Sequence, residues 1–316
     1  MSKILVTGAN GFIGERLCSK LLLSGKKVKK LVRKIEEGDN LEQYACNLGV
    51  DQIPEGVFND VDVIFHLAGV THDIDKSMTG GLYYDVNVTA TEQLAMAAAE
   101  KKVKKFIYVS SVKAGGVLIA DKCMSEEDQT EPEGVYGKTK REAEVRLLEI
   151  GRKSELNVSV IRPALVYGKG VQGNLHKMLV GIEKGWFPPL PEVGNRRSMI
   201  HVDDLVDALL LIEKNNSSNG EIFIATDGND YSSSQIYMAM RASLNKGVKK
   251  WTVPNVFLRS LAKIGDFINT ILPFPFDSYR YHKLLGDECF SSKKIQTILG
   301  FKAYHTIFSS PNHFKE

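Results

Sequence analysis

The sequence predicts an α/β fold, a doubly wound parallel sheet with a smaller C-terminal lobe. Strand-like and helix-like segments alternate without a break through the first half of the chain. Three glycines separate the first strand from the first helix. The length, 316 residues, is enough for a full core and two lobes.

The elements follow in order. KILVTG reads as a short buried strand and FIGERLCSKLLLSG as a helix stopping at Gly25. VKKLVR is a second strand and VDVIFHLAG a third. DVNVTATEQLAMAAAEKK is a helix over 87–101, and FIYVSS is the strand after it. YGKTKREAEVRLLEIGRKS is a second long helix, over 136–153, leading to the strand NVSVIRPALVYG. Such strict alternation predicts parallel strands covered by helices on both faces.

Beyond Gly168 the pattern loosens. Glycine and proline collect in GKGVQGN and GWFPPLPEVG, as in a loop-rich segment that builds a pocket. SMIHVDDLVDALLLIE predicts a strand and then a helix capped by Asp203 or Asp204, and EIFIATDG a further strand. The reading is one domain over 1–167 with about 199–227, and a substrate lobe over 168–198 and 228–316. VPNVFLRSLAKIGDFINTILPFPF has helical apolar spacing with Arg259, Lys263 and Asp266 between; it is expected to cover a core and not to lie on a membrane.

Composition narrows the function. With 43% hydrophobic and 25% charged residues the chain is an ordinary globular one, and a net charge of +3 is too small to make nucleic acid the partner. Cys18, Cys46, Cys123 and Cys289 lie far apart in sequence. They predict neither a zinc site nor a disulfide framework, and a reducing compartment. His66 and His201 lack partners at ligand spacing, so no metal is expected. No apolar run reaches the roughly 18 residues of a membrane span, and the N-terminal one is too short for a signal peptide. A cytoplasmic protein is expected. The KKVKK runs at 26–30 and 101–105 read as solvated cations at helix ends, Lys29 and Lys30 among them.

GANGFIG puts Gly8, Gly11 and Gly14 between a strand and the start of a helix. Glycine lets the backbone turn tightly and approach a pyrophosphate, while the helix start offers unpaired N–H groups. In this setting the trio, with Phe12 and Ile13 between, predicts a Rossmann-type dinucleotide site. Later, FIYVSS ends a strand in Ser110 and Ser111, and YGKTK sets Tyr136 and Lys140 four apart on one helical face. A neighbouring ammonium favours phenolate and is expected to lower the tyrosine pKa. Such a phenol can exchange a proton with a substrate hydroxyl while hydride moves at the same carbon.

GANGFIG, VIFHLAG, DVNVTAT, YVSSV, YGKTK, RPALVYG and RRSMIHVDDL, in that order between residue 4 and about 212, resemble the extended short-chain dehydrogenase/reductases. More narrowly they resemble the NAD-dependent epimerase/dehydratase group, which modifies nucleotide-diphosphate sugars. The resemblance implies Tyr136 as general acid/base, Lys140 on the nicotinamide ribose, and Ser111 on the sugar C4 oxygen. It implies that Leu67, Ala68, Gly69 and Pro163 pass close to the cofactor. Asn87 would tie the sheet centre to the helix above. Asn174, Arg197 and Asp287 would contact a nucleotide-diphosphate sugar, UDP-linked by expectation, with Leu190 on the uracil and Lys113 beside the catalytic serine. A homodimer through the helices at 87–101 and 136–153 is implied too.

The same resemblance bears on the reaction. The 4,6-dehydratases resemble one another in having Thr-Asp-Glu where this chain has Ser111, Val112 and Lys113, so dehydration lacks its groups here. What remains is hydride transfer at C4, as reduction of a 4-keto sugar or, alternatively, as 4-epimerisation with tightly held NAD. A non-catalytic dinucleotide sensor is a further alternative, against which the intact Ser111, Tyr136 and Lys140 argue. NAD-binding folds usually place an acid about 20 residues past the glycines. Here that position holds Arg33, which suits a 2′-phosphate, so NADP(H) is favoured over NAD(H) and reduction over epimerisation. In place of the epimerases' Arg before Gly-Asp stand Leu284, Leu285, Gly286 and Asp287, with Arg280 and Lys283 upstream.

Overall fold

A computed structural model of the chain describes residues 3–71, 80–247, 249–309 and Phe314. Seven strands form the main sheet: β1 Lys3–Thr7, β2 Lys27–Val32, β3 Glu42–Ala45, β4 Val61–His66, β5 Lys105–Val109, β6 Asn157–Pro163 and β9 Ile222–Ala225. Their order is β3-β2-β1-β4-β5-β6-β9, with all pairs parallel. A small sheet holds β7 Leu165–Tyr167, β8 Arg197–His201 and β10 Asp230–Tyr231. The helices are α1 Phe12–Leu23, α2 Gly80–Tyr84, α3 Ala90–Glu100, α4 Gly134–Lys153, α5 Gly173–Lys184, α6 Val202–Lys214, α7 Ser233–Ser243, α8 Asn255–Ile268, α9 Ser278–Leu285 and α10 Lys293–Leu299.

The doubly wound sheet follows from the alternation. Ile4 and Val6 face a core shared with α1, α6 and α10, while Leu5 faces another shared with α3 and α4. Strand side chains alternate between faces, so a strand buried on both sides must be apolar throughout. A third cluster, with Leu175, Met178, Leu190, Tyr237 and Leu258, forms the core of the C-terminal lobe. The strand order reverses between β1 and β4, and in open sheets ligands bind at the carboxyl ends of strands at such a point.

Several expectations are corrected. Lys29 and Lys30 are not solvated: they lie within β2, Lys29 paired with Glu42 at 3.1 Å and Lys30 with Asp39 at 2.6 Å. Glu42 belongs to β3, an edge strand whose polar EQYA pattern hid it from the sequence reading. Lys105 does meet a helix end, but that of α6: its ammonium donates to the carbonyls of Ile212 and Asn215, each at 2.8 Å. NVSVIRPALVYG is two strands, because the chain leaves the main sheet after Pro163 and joins the small one at Leu165. The cap of α6 is His201, whose Nδ1 accepts from the Asp203 N–H, while both acids sit in the first turn. A π-helical turn at Asp85–Thr89 precedes α3.

The cysteine expectation also fails. Cys123 and Cys289 form a disulfide with Cα atoms 4.5 Å apart across 166 residues of sequence, a proximity that no spacing rule reveals. The cysteine argument for a reducing compartment falls with it. No described helix is long and apolar enough to cross a membrane.

One buried ion pair fixes α4 to the sheet. Arg162 on β6 donates from Nε to Glu144 at 2.9 Å and from its terminal nitrogen at 2.5 Å, with both side chains about 1% exposed. Removing one partner of such a pair leaves an uncompensated charge. Glu144→Ala is therefore expected to lower unfolding stability by about 3–5 kcal/mol, measured by urea unfolding; a loss within the noise of that measurement would refute the role.

Candidate active site

The glycine loop is built by contact distances. Gly8 follows β1 at φ +66°, and a Cβ there would meet the Ala68 nitrogen at 2.8 Å. A Cβ on Gly14 would lie on the Gly8 carbonyl oxygen. Both positions admit glycine alone, and the loop is thereby drawn against the chain leaving β4. Gly11 is the N-cap of α1 and offers no side-chain cap, so the first-turn N–H groups stay available to an anion. Phe12 and Ile13 open that turn, while their side chains pack into the lobe core and the sheet core respectively. The Oδ1 of Asn10 is buried with no partner among the described residues. These features fit a dinucleotide pyrophosphate.

Leu67, Ala68 and Gly69 continue from β4 alongside this loop. Leu67 N–H bonds the Thr7 carbonyl at 3.2 Å and Ala68 N–H the Thr7 hydroxyl at 3.1 Å. His66 serves as scaffold: it bridges Thr7 at 2.7 Å and Thr91 at 2.8 Å. Burial, aided by the Lys140 charge, pushes its pKa down to about 3, which keeps it neutral. Asn87 exchanges two hydrogen bonds with Val70, at 2.8 and 3.1 Å, and donates to Thr139 of α4 at 3.2 Å. It ties the loop after β4 to α4 from within the π turn, the type of irregularity that functional sites often contain. Pro163 closes β6 at the same edge of the sheet.

Ser111, Tyr136 and Lys140 come together. Ser111 follows β5 and caps a short 3₁₀ turn, its Oγ accepting the Lys113 N–H at 3.2 Å. The Ser111 hydroxyl lies near enough to the Tyr136 phenol to favour its ionised form. Tyr136 lies in the first turn of α4 and Lys140 in the next, as the four-residue spacing requires. Two residues that the sequence reading missed bring the serine to the phenol. Gly137 lets α4 approach until a Cβ would stand 2.8 Å from the Lys113 carbonyl. Arg141 donates to the Ala114 carbonyl at 2.6 Å. The glycine inside YGKTK was the available signal.

The expected electrostatics are reversed. Burial pushes the Tyr136 phenol up to about 12, and the nearby Ser111 hydroxyl only moderates this. Burial also pulls Lys140 down to about 8. The Lys140 ammonium donates to the Val109 carbonyl at 3.0 Å and lies over the Tyr108 ring, so its charge is directed to the strand end and the cofactor loop. A Cβ on Gly69 would stand 3.2 Å from that nitrogen.

The substrate side departs further from expectation. Arg197 is buried: it donates to Glu288 at 2.7 Å and to the Lys283 carbonyl at 3.0 Å. Lys113 pairs with the same carboxylate, a role the sequence did not give it. Glu288 was not anticipated: Arg197 was expected to meet a diphosphate and Lys113 to lie beside the serine, and it is this carboxylate that both pair with. Its burial favours the neutral acid, but Arg197 and Lys113 outweigh that and hold it below the usual carboxylate range. Leu190 is 1% exposed in the lobe core, which covers the side chain expected to stack on a base. Asp287 is exposed and accepts the Arg196 N–H at 2.8 Å, while Asn174 is exposed in the first turn of α5. His201, expected to lack partners at ligand spacing, stacks on His305 with centroids 4.3 Å apart, and with Asp203 their ligand atoms lie within 4.8 Å of one another. Asp204 binds His305 Nδ1 at 2.9 Å, so the group joins α6 to the chain near 305.

Comparison with known proteins bears on the family and the fold. The model of the NAD dependent epimerase/dehydratase family matches residues 4–225. A UDP-glucose 4-epimerase of Vibrio cholerae is 31% identical over 79% of this chain and 78% of its own. An N-acetyl-α-D-glucosaminyl-diphospho-ditrans,octacis-undecaprenol 4-epimerase of Escherichia coli O157:H7 is 29% identical over 96% of this chain and 91% of its own. The fold is that of UDP-glucuronic acid 4-epimerase from Bacillus cereus, solved with UDP-glucuronic acid and NAD. The TM-score is 0.77 at 20% identity, covering 98% of this chain and 97% of that one.

Arg33 stands exposed just past the end of β2, with no ion pair or hydrogen bond among the described residues. A guanidinium there attracts a 2′-phosphate and cannot accept from ribose hydroxyls. Arg33→Asp is expected to weaken NADP(H) binding about tenfold or more relative to NAD(H), read by calorimetric titration of both. An unchanged ratio would show that Arg33 meets only water.

Proposed function

The chain belongs to the NAD dependent epimerase/dehydratase family, and from that premise we propose that it moves hydride at C4 of a hexose or N-acetylhexosamine carried on a diphosphate, UDP being the expected carrier. It is an enzyme of the extended short-chain dehydrogenase/reductase class. The observation that carries the reading is Ser111 beside Tyr136, with Lys140 one turn further and beside Gly69. A sensor would need the glycine loop but no such acid–base set.

The bound dinucleotide supplies or takes the hydride. Tyr136 gives its proton to the C4 oxygen as that carbon gains hydride, and takes it back in the reverse direction. The phenol, whose pKa burial raises, is protonated at working pH and so stands in the form that donates. Ser111 orients the same oxygen by hydrogen bonding. Lys140, anchored on Val109, holds the ribose side and supplies positive charge when the phenol has lost its proton. Dehydration is not part of the reading, since Val112 and Lys113 stand where acids are needed and Glu288 is held between two cations.

Two net reactions use these residues. The names of the Vibrio and Escherichia relatives support 4-epimerisation, in which NAD stays bound. Arg33 favours the second reading, reduction of a 4-keto sugar by NADPH. The Escherichia relative's substrate carries its sugar diphosphate on undecaprenol, so the chemistry common to both carriers is the diphosphate beside the sugar. We also propose a homodimer through α3 and α4, where Met96 and Val145 are each about half exposed.

Tyr136→Phe is expected to cut turnover by about 10²–10⁴-fold while dinucleotide affinity holds; wild-type turnover would refute the mechanism. Dinucleotide released on denaturation separates the two net reactions: stoichiometric NAD supports the epimerase, and empty protein that binds NADPH the reductase.

The pH profile gives a separate check. Lys140 is charged below its pKa of about 8 and neutral above it. Activity is therefore expected to fall as pH rises through about 8. Lys140→Met should remove that limb along with most activity; a limb that survives the change would belong to another group.

A further inference from the structure

Helix α8 has its apolar side turned away from the protein. Leu258, Ala262 and Gly265 form its buried face against the lobe core. At about 100° per residue, Val256, Phe257, Ser260, Lys263, Ile264 and Phe267 fall on the opposite half of the helix. All six are exposed, Phe257 at 59% and Phe267 at 71%, and the exposed Ile271 and Leu272 follow on. The sequence reading had this segment cover a core. The small buried face does that, and it leaves four large apolar side chains of α8 in water, a patch that soluble surfaces rarely keep without use.

The charge around this face is one-sided. From Lys246 to Lys263 the chain carries Lys246, Lys249, Lys250, Arg259 and Lys263 and no acid. The first acid beyond, Asp266, is taken up by the N–H and hydroxyl of Ser278. Both tryptophans of the chain are exposed, Trp251 four residues before the helix begins. Trp186 and Trp251 line a cavity of about 450 Å³ with Phe187, Pro189, Arg241 and Lys249. Apolar side chains flanked by cations, with tryptophan at the margin, are the chemistry of a segment lying in the headgroup region of an anionic bilayer. A second copy of the chain on a two-fold axis would instead bring like cations together.

We propose that α8 and the loop after it dock this protein onto an anionic phospholipid surface, with Phe257, Ile264 and Phe267 entering the acyl boundary and Lys249, Lys250 and Lys263 at the headgroups. Helix α8 packs on α9, whose Lys283 carbonyl accepts from Arg197. Docking places the substrate lobe, and not the dinucleotide loop, next to the membrane. The inference stands on α8 alone and survives failure of the C4 reading.

The test is flotation of the full chain with vesicles of equal parts phosphatidylglycerol and phosphatidylethanolamine, and with vesicles of phosphatidylcholine alone. The wild type is expected to float with the anionic vesicles, with a blue shift of tryptophan fluorescence, and to be released by raised salt. Phe257→Ser with Phe267→Ser, and separately Lys249→Glu with Lys250→Glu, should each reduce the bound fraction about tenfold or more, with circular dichroism unchanged. Wild-type protein that stays unbound, or the phenylalanine variant binding as well as wild type, would overturn the proposal. So would sedimentation in which that variant only dissociates an oligomer, since the face would then be a protein interface.

Discussion

The geometry of the site depends on the contact between Arg162 and Glu144. It is formed where water is excluded, between the strand that ends in Pro163 and the helix whose first turn holds Tyr136. Two charges taken from water are stable there only as a well-aligned pair. The bidentate arrangement therefore fixes both the distance of α4 from the sheet and its rotation about its own axis. With that rotation set, the four-residue spacing turns Tyr136 and Lys140 toward the carboxyl ends of β4 and β5. Arg141 on the same helix then clasps the turn that follows Ser111.

Close approach is the second constraint, and glycine meets it at three points. Gly8 and Gly14 bring the loop after β1 against Ala68 and onto itself, and Gly137 brings α4 against the turn after β5. Each lacks a Cβ where one would overlap backbone. Backbone cannot yield as a flexible side chain can, so these contacts are rigid. Rigidity at this edge suits proton and hydride transfer, which lose efficiency with small displacements.

Much of this was legible from residue types and spacing. Short apolar runs alternating with helical patterns give the parallel sheet, GANGFIG gives the loop, and YGKTK gives the acid–base pair because four residues span one helical turn. What escaped depends on contacts between distant segments. Lys29 reads as solvated until Glu42 of the edge strand is set beside it. Cys123 finds Cys289, and Lys113 finds Glu288, across more than 160 residues of chain. The pKa of Tyr136 escaped for a related reason. Sequence spacing supplies the neighbouring ammonium but not the burial, and burial sets the direction.

Glu288 gives the substrate side its logic. A carboxylate between Lys113 and Arg197 cancels one of the two cationic charges and leaves one positive charge over, with Lys283 close enough to act on the same carboxylate. The cations are thus held in place by protein before any substrate arrives, which lowers the entropy lost on binding. On the proposed reading, a diphosphate entering this region would meet an excess of positive charge and a carboxylate that competes with it for the same donors. Binding is strongest if the diphosphate takes over donors now held by Glu288, and the cost is the carboxylate left less well paired. Recognition and release can therefore stay in balance. An enzyme that must let go of a doubly charged product needs that balance more than it needs the tightest grip.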